Sequence, residues 1–302
     1  MSAEASEQQR RRRGPYLPRE MRIKIYEDFL ELRKQGLSYG QIIKEIKRRY
    51  NVTIDKSTCS RWCNRKHSPY NGIRIPALEF LKPSEDLAYL IGVEAGDGYV
   101  YKRRTSVSGY HLVVGLKVKD KEFAEFFANS IAKVLGREPQ IPKRNEDGRW
   151  AIEVKCRTLY ELLKKPIDIE RIRPYVEHCE KCIAAFLRGF FDSEGCVLKN
   201  GIIVIYNTNY KLLEYVICLL KKIEMETTSE KPRLLRRAGT PFRDPRTGKM
   251  YRTKKDVYYV RVSKKSNQVF YIKVGFTIER KRKRLEEYLK RRGLLPNDSL
   301  TT

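Results

Sequence analysis

The sequence predicts an α+β protein, with a small all-α segment ahead of two similar halves, each ordered αββαββα. Three observations predict it. Apolar residues recur at helical spacing across residues 18–67, between helix-stop signals. A helix-like segment closing on a carboxylate and a glycine occurs twice, at a constant offset (185 − 88 and 194 − 97 both give 97). Strand-like apolar runs and amphipathic helical runs then follow both copies in the same order.

Residues 1–17, with Arg10-Arg11-Arg12-Arg13, read as a basic flexible tail. Arg19 to Lys34 is a first helix with Ile23, Tyr26, Phe29, Leu30 and Leu32 as apolar positions, stopped by Gly36. Ser38 caps a second, with Ile42, Ile43 and Ile46 inward. After a turn over 51–55, Lys56 to Lys66 forms a third, which buries Cys59, Trp62 and Cys63. Its outer face offers Ser57, Thr58, Ser60, Arg61, Asn64 and Arg65, all able to donate to phosphates or base edges. Residues 18–70 resemble a helix-turn-helix DNA-binding domain with the third helix as reader. A Pro-containing linker spans 69–83.

The charge bounds the partner. The chain of 302 residues has 64 Lys and Arg against 37 Asp and Glu, a formal net charge of +27. Such an excess repels itself unless it meets a polyanion, and nucleic acid is the usual one, although ribosomal and membrane-surface proteins can be as basic. With 19 Tyr, 11 Phe and 2 Trp the chain can build a core, which argues against a disordered basic polymer. No apolar run approaches a membrane span and no apolar leader opens the chain, so an intracellular protein with no membrane partner is expected. Seven scattered cysteines fit reduced thiols. Cys59, Cys63 and His67 share a helical face, and His178-Cys179-Glu180-Lys181-Cys182 holds one CxxC, but each group lacks a fourth ligand for a structural zinc. Buried thiols are the expectation for both.

The repeated helices are Ala88-Tyr89-Leu90-Ile91-Gly92-Val93-Glu94-Ala95-Gly96-Asp97-Gly98 and Ala185-Phe186-Leu187-Arg188-Gly189-Phe190-Phe191-Asp192-Ser193-Glu194-Gly195. Small residues four apart (Ala88, Gly92, Gly96; Ala185, Gly189, Ser193) share one face, so two such helices can approach until their backbones nearly touch. Each then carries an acid, Asp97 or Glu194, before the stopping glycine. A carboxylate at a helix C-terminus is unfavourable by roughly 0.3–1 kcal/mol, and two side by side repel further. A cation between them relieves both. Oxygen donors without His or Cys point to Mg²⁺, for which Mn²⁺ can substitute. Paired metal-bound carboxylates suit phosphodiester hydrolysis.

Downstream, residues 112–118 read as a strand and Asp120 opens a helix through Phe123, Phe126 and Phe127. Residues 202–206 and Asn209, with Leu212, Leu213 and Val216, repeat this in the second half. A strand over 150–155 matches one over 257–262, and each is followed by a helical segment.

The whole pattern resembles a single-chain LAGLIDADG homing endonuclease. Leu90, Gly92, Asp97 and Gly98, then Leu187, Gly189, Glu194 and Gly195, carry the resemblance, which covers roughly residues 80–292. It implies two pseudo-symmetric halves, 76–165 and 166–295, with the repeated helices at their interface and a saddle of antiparallel strands along double-stranded DNA. It implies a monomer that recognises a long asymmetric site. Asp97 and Glu194 would hold Mg²⁺, joined by the carbonyls of Gly96 and Ser193, and would cut both strands to leave short 3′ overhangs. By position Lys117, Lys155 and Lys264 match the basic side chains that family members keep near the scissile phosphates. Glu94 and Ala95 depart from the motif. Lys102, Arg103 and Arg104, in a basic loop after the first motif, and Arg233, Arg236, Arg237, Arg243, Arg246 and Arg252, within an insertion over 231–255, are expected to follow phosphates. The alternatives are a non-cleaving DNA-binding regulator or an RNA maturase of the same fold, the latter with intron RNA as partner. The presence of both acids favours the enzyme.

Overall fold

The computed structural model describes residues 17–64, 69, 75, 77–104, 109–244 and 247–296. Residues 1–16 of the basic tail expected over 1–17, Arg65, His67 and Arg246 lie outside them. The chain divides into two compact units, Met1–Pro76 and Ala77–Thr302.

The first unit holds α1 (Arg19–Lys34), α2 (Tyr39–Tyr50) and α3 (Lys56–Cys63). Ser38 and Gln41 form a reciprocal capping box at the start of α2, which satisfies two otherwise orphaned donors. Asn51, with φ of 52°, ends that helix in the left-handed region. Asp55 caps α3 by accepting from the Thr58 N–H at 2.6 Å. The core gathers Ile25, Phe29 and Leu32 of α1, Ile42 and Ile46 of α2, and Cys59 and Trp62 of α3. The Trp62 ring stands edge-on to Tyr26 and to Phe29, with centroids 5.3 Å apart in both pairs. α3 ends at Cys63, shorter than the sequence suggests.

The second unit is mixed α+β, with antiparallel sheets. It opens with α4 (Glu85–Ala95), β1 (Tyr99–Arg104), β2 (Tyr110–Val118), α5 (Lys121–Leu135), β3 (Lys143–Arg144), β4 (Trp150–Lys155), α6 (Arg157–Leu163) and α7 (Ile169–Val176). It continues with α8 (Glu180–Glu194), β5 (Gly195–Val197), β6 (Ile203–Asn207), α9 (Tyr210–Lys222), β7 (Arg233–Arg236), β8 (Pro241–Arg243), β9 (Met250–Arg252) and β10 (Val257–Arg261). Last come α10 (Asn267–Val269), prolonged as a wider helical turn over Phe270–Val274, and α11 (Glu279–Arg291). One sheet runs β1-β2-β4-β3 and the other β5-β6-β10-β7, so the two halves have the same strand order. β8 and β9 form a separate hairpin between β7 and β10. Lys102, Arg103 and Arg104 therefore lie on the edge strand β1, paired with β2, and not in a loop. Tyr99 and Val100 open that strand half-buried, whereas its basic end is exposed.

α4 and α8 lie side by side in parallel, and glycine makes this possible. A Cβ on Gly92 would overlap the Phe186 carbonyl oxygen and stand 2.9 Å from the Phe190 nitrogen. On Gly189 it would overlap the Tyr89 carbonyl oxygen and stand 3.0 Å from the Val93 nitrogen. Each glycine thus meets the other helix's backbone at the matching position. Nearly all of α4 is buried, from Leu87 to Glu94. α8 buries Cys182 to Leu187 and Gly189 to Asp192.

Candidate metal and nucleic-acid site

Both motif acids stand where the paired helices end. α4 stops at Ala95, because Gly96 adopts a non-helical cap conformation (φ −109°, ψ −106°) and leaves Asp97 in the following turn. In α8, Ser193 occupies the corresponding position and the helix runs on through Glu194. Glycine is about 1 kcal/mol poorer than alanine in a helix interior, and serine costs less, so the earlier stop follows from composition. Gly96 faces Ser193 across the interface: a Cβ there would overlap that of Ser193 and lie 3.1 Å from Cγ of Glu194. The Ser193 hydroxyl donates to the Gly189 carbonyl at 3.1 Å.

The electrostatics reflect this crowding. Burial pushes the Glu194 carboxyl up to about 7, and the Asp97 charge adds to the rise. Burial raises Asp97 as well. Asn207, at the end of β6, donates to Glu194 Oε1 at 3.2 Å and favours its ionised form. Two ammonium groups temper both acids. Lys165 donates to the carbonyls of Gly96 at 3.2 Å and Gly98 at 2.6 Å, just past the end of α4. Lys281 on α11 donates to the Phe191 carbonyl at 3.0 Å and the Asp192 carbonyl at 2.5 Å. Cations at helix C-termini complement the exposed carbonyls. Burial pulls Lys281 down to about 8.

Neither lysine stands out in a sequence with 64 basic residues. Lys281 left one signal, because it lies in phase with buried Ile278, Leu285 and Leu289 on a helix that is otherwise charged. The three lysines named from sequence lie on β2, on β4 and in the helical turn after β10. Lys117 pairs with Asp147 at 2.8 Å. Lys155 is an exposed residue at the end of β4. Lys264 sits over the Tyr288 ring, 6.0 Å from its centroid. The two departures from the motif also acquire places. Both Glu94 oxygens are buried without a hydrogen-bond partner, and burial drives that carboxyl far above the ordinary range, which keeps it neutral. At the repeat position that Ala95 fills in the first copy, Asp192 accepts from the Tyr89 hydroxyl at 3.1 Å and the Thr277 N–H at 3.0 Å, tying α8 to α4 and to the chain ahead of α11.

Of the basic residues named from sequence, Lys102, Arg103 and Arg104 are exposed along β1, and Arg233 and Arg236 along β7. Arg237 lies exposed just beyond β7. Within the insertion β8 and β9 pair as a hairpin. Arg243 and Arg252 brace it by donating to the carbonyls of Gly248 at 3.0 Å and Gly239 at 3.1 Å. Arg236 stacks over Phe242 at 4.8 Å, joining the hairpin to the edge of the sheet. In the first unit Ser57 donates to Asp55 at 2.8 Å and Asn64 to Ser60 at 3.3 Å, while Arg61 is exposed.

A family model described as a LAGLIDADG-like domain matches residues 181–275. The uncharacterized protein MJ0398 of Methanocaldococcus jannaschii is 36% identical over 262 residues, covering 85% of this chain and 90% of the relative. This chain belongs to the same family as MJ0398. A second protein of that organism, the uncharacterized MJ0314, is 30% identical over 156 residues, 48% of this chain and 57% of the relative. Among solved structures, the homing endonuclease I-DmoI in complex with DNA and Mn is 22% identical, covers 63% of this chain and 96% of its own, and has a TM-score of 0.44. The homing endonuclease I-WcaI bound to its DNA recognition sequence is 16% identical, covers 77% and 94%, and has a TM-score of 0.41.

Proposed function

We propose that this protein is a site-specific DNA endonuclease that hydrolyses both strands with a divalent cation, Mg²⁺ or Mn²⁺. The observation that carries this reading is the convergence of Asp97 and Glu194 at the ends of two helices whose glycines hold them backbone to backbone. Folding brings two partly buried carboxyls together at a cost that an ordinary surface would not impose, and a cation repays it. The donor set fits such an ion: carboxylate oxygens and the Gly96 and Ser193 carbonyls are hard ligands, and no thiol or imidazole is part of the motif. A cation bound there would activate water and neutralise charge on the phosphate. Lys165 and Lys281 keep the acids toward their ionised, ligand-competent form and add positive charge beside the phosphate position. Asn207 orients Glu194 through its hydrogen bond. The basic rows on β1 and β7 and the β8–β9 hairpin would track the DNA backbone on either side of the acids. The first unit, read as a helix-turn-helix domain, adds affinity through α3. An RNA maturase remains the second reading because it can retain the same acids.

The test is selection of cut duplexes from a randomised DNA library with Mg²⁺, followed by strand-specific cleavage beside a gel-shift titration. Asp97→Asn or Glu194→Gln should lower double-strand cleavage by at least about 10²-fold while binding persists. Wild-type cutting rates in both variants would overturn the proposal.

A further inference from the structure

The opposite end of the same helix pair holds a second constellation. His178, Cys179 and Cys182 bring one imidazole nitrogen and two sulfurs within 4.8 Å of one another at the start of α8. Cys179 is the N-cap of that helix. Sulfur binds metal as the thiolate, and two thiols and an imidazole this close can close on one ion. The three side chains line a cleft of about 510 Å³, together with Glu85 and Asp86 from the first turn of α4. Asp86 is paired with Lys133 at 3.4 Å, and Glu180 with Lys273 at 2.7 Å. All seven cysteines are free thiols.

We propose that His178, Cys179 and Cys182 form a site for one thiophilic divalent cation of the zinc class, with Glu85 as the fourth ligand. Two sulfurs, one nitrogen and one oxygen suit a tetrahedral d¹⁰ ion and not the hard cation of the acid pair. Uptake would displace the two thiol protons to solvent. The ion would bridge the N-termini of α4 and α8, and so clamp the two halves at the end away from Asp97 and Glu194. At 1.5 Å rise per residue, Cys182 and Glu194 are separated by about 18 Å along α8, so the two metal sites are distinct. The sequence hid this site because the CxxC has no second pair near it, and its fourth ligand comes from a helix that begins 94 positions before Cys179 (179 − 85 = 94).

The experiment is anaerobic titration of the full reduced chain with Co²⁺, read by thiolate-to-cobalt charge-transfer and tetrahedral d–d absorption, with Zn²⁺ displacement as competition. One equivalent should produce both bands, and Zn²⁺ should abolish them. Cys179 and His178 are exposed, so Cys179→Ser and His178→Asn test the ligands without disturbing the core. Both should lose or shift the bands, and Glu85→Gln should weaken affinity. Asp97→Asn should leave them intact, which separates this site from the one under Proposed function. Absence of charge-transfer absorption, or bands that persist in Cys179→Ser, would overturn the proposal. Unchanged affinity in Glu85→Gln would overturn the bridge between the helices.

Discussion

Glu194→Gln should move stability and chemistry in opposite directions. Burial and the Asp97 charge lift the Glu194 carboxyl from 4.5 to about 7. The folded chain therefore holds this proton more tightly than the unfolded chain. The stability it contributes is fully present below about pH 4.5 and is lost as pH rises through about 7. Above that, the ionised acid costs roughly 3 kcal/mol, an upper figure because solvent still reaches the group. Glutamine keeps the shape, and its oxygen can still accept from Asn207, but it carries no charge. In EDTA at pH 8 the variant should melt above the parent by several degrees and by no more than roughly 10 °C. Near pH 4.5 the two should coincide. Mg²⁺ should then raise the melting temperature of the parent and leave the variant nearly unmoved, while cleavage falls by at least about 10²-fold. Calorimetric scans at the two pH values, with and without Mg²⁺, make the measurement. A variant that melts below the parent at pH 8 in EDTA would refute the reasoning, since the acid would then be stabilising without a cation.

Other consequences are as direct. Gly92→Leu and Gly189→Leu force a side chain into a backbone contact and should each cost about 1–3 kcal/mol or more; unchanged melting temperatures would mean the helices can part freely. Lys281→Met removes an ammonium that favours ionised Glu194 and Asp97, so the rise of cleavage rate with pH should move to higher pH; an unaltered pH–rate profile counts against that role. Deleting Met1–Pro76 should weaken DNA binding and flatten its salt dependence while cutting survives at saturating protein. Lost cleavage at unchanged affinity would contradict the division of labour.

Features that depend on near neighbours were legible in the chain. Ser38 and Asn209 cap helices because a side-chain oxygen reaches an N–H two or three residues on, and both caps are present. Residues 150–155 alternate or cluster apolar groups as a strand must, and β4 spans Trp150–Lys155. The glycine stripes of the repeated helices implied a close approach, and Gly92 and Gly189 lie against facing backbone. The place of Asp97 and Glu194 at helix ends was legible for the same reason, since the stopping glycine stands next to each in the chain. What tertiary structure decided is which distant groups meet those ends. Lys165 and Lys281 lie beside the acids although neither was named from the sequence, because a flexible cation's position depends on the three-dimensional course of separate elements. Lys102 to Arg104 looked like loop because their charge masks the pairing that β2 imposes on an edge strand. Local periodicity determined the helices and strands of this protein; packing between segments far apart in the chain chose the cations beside Asp97 and Glu194 and placed Glu85 in the cleft that Cys179 and Cys182 line.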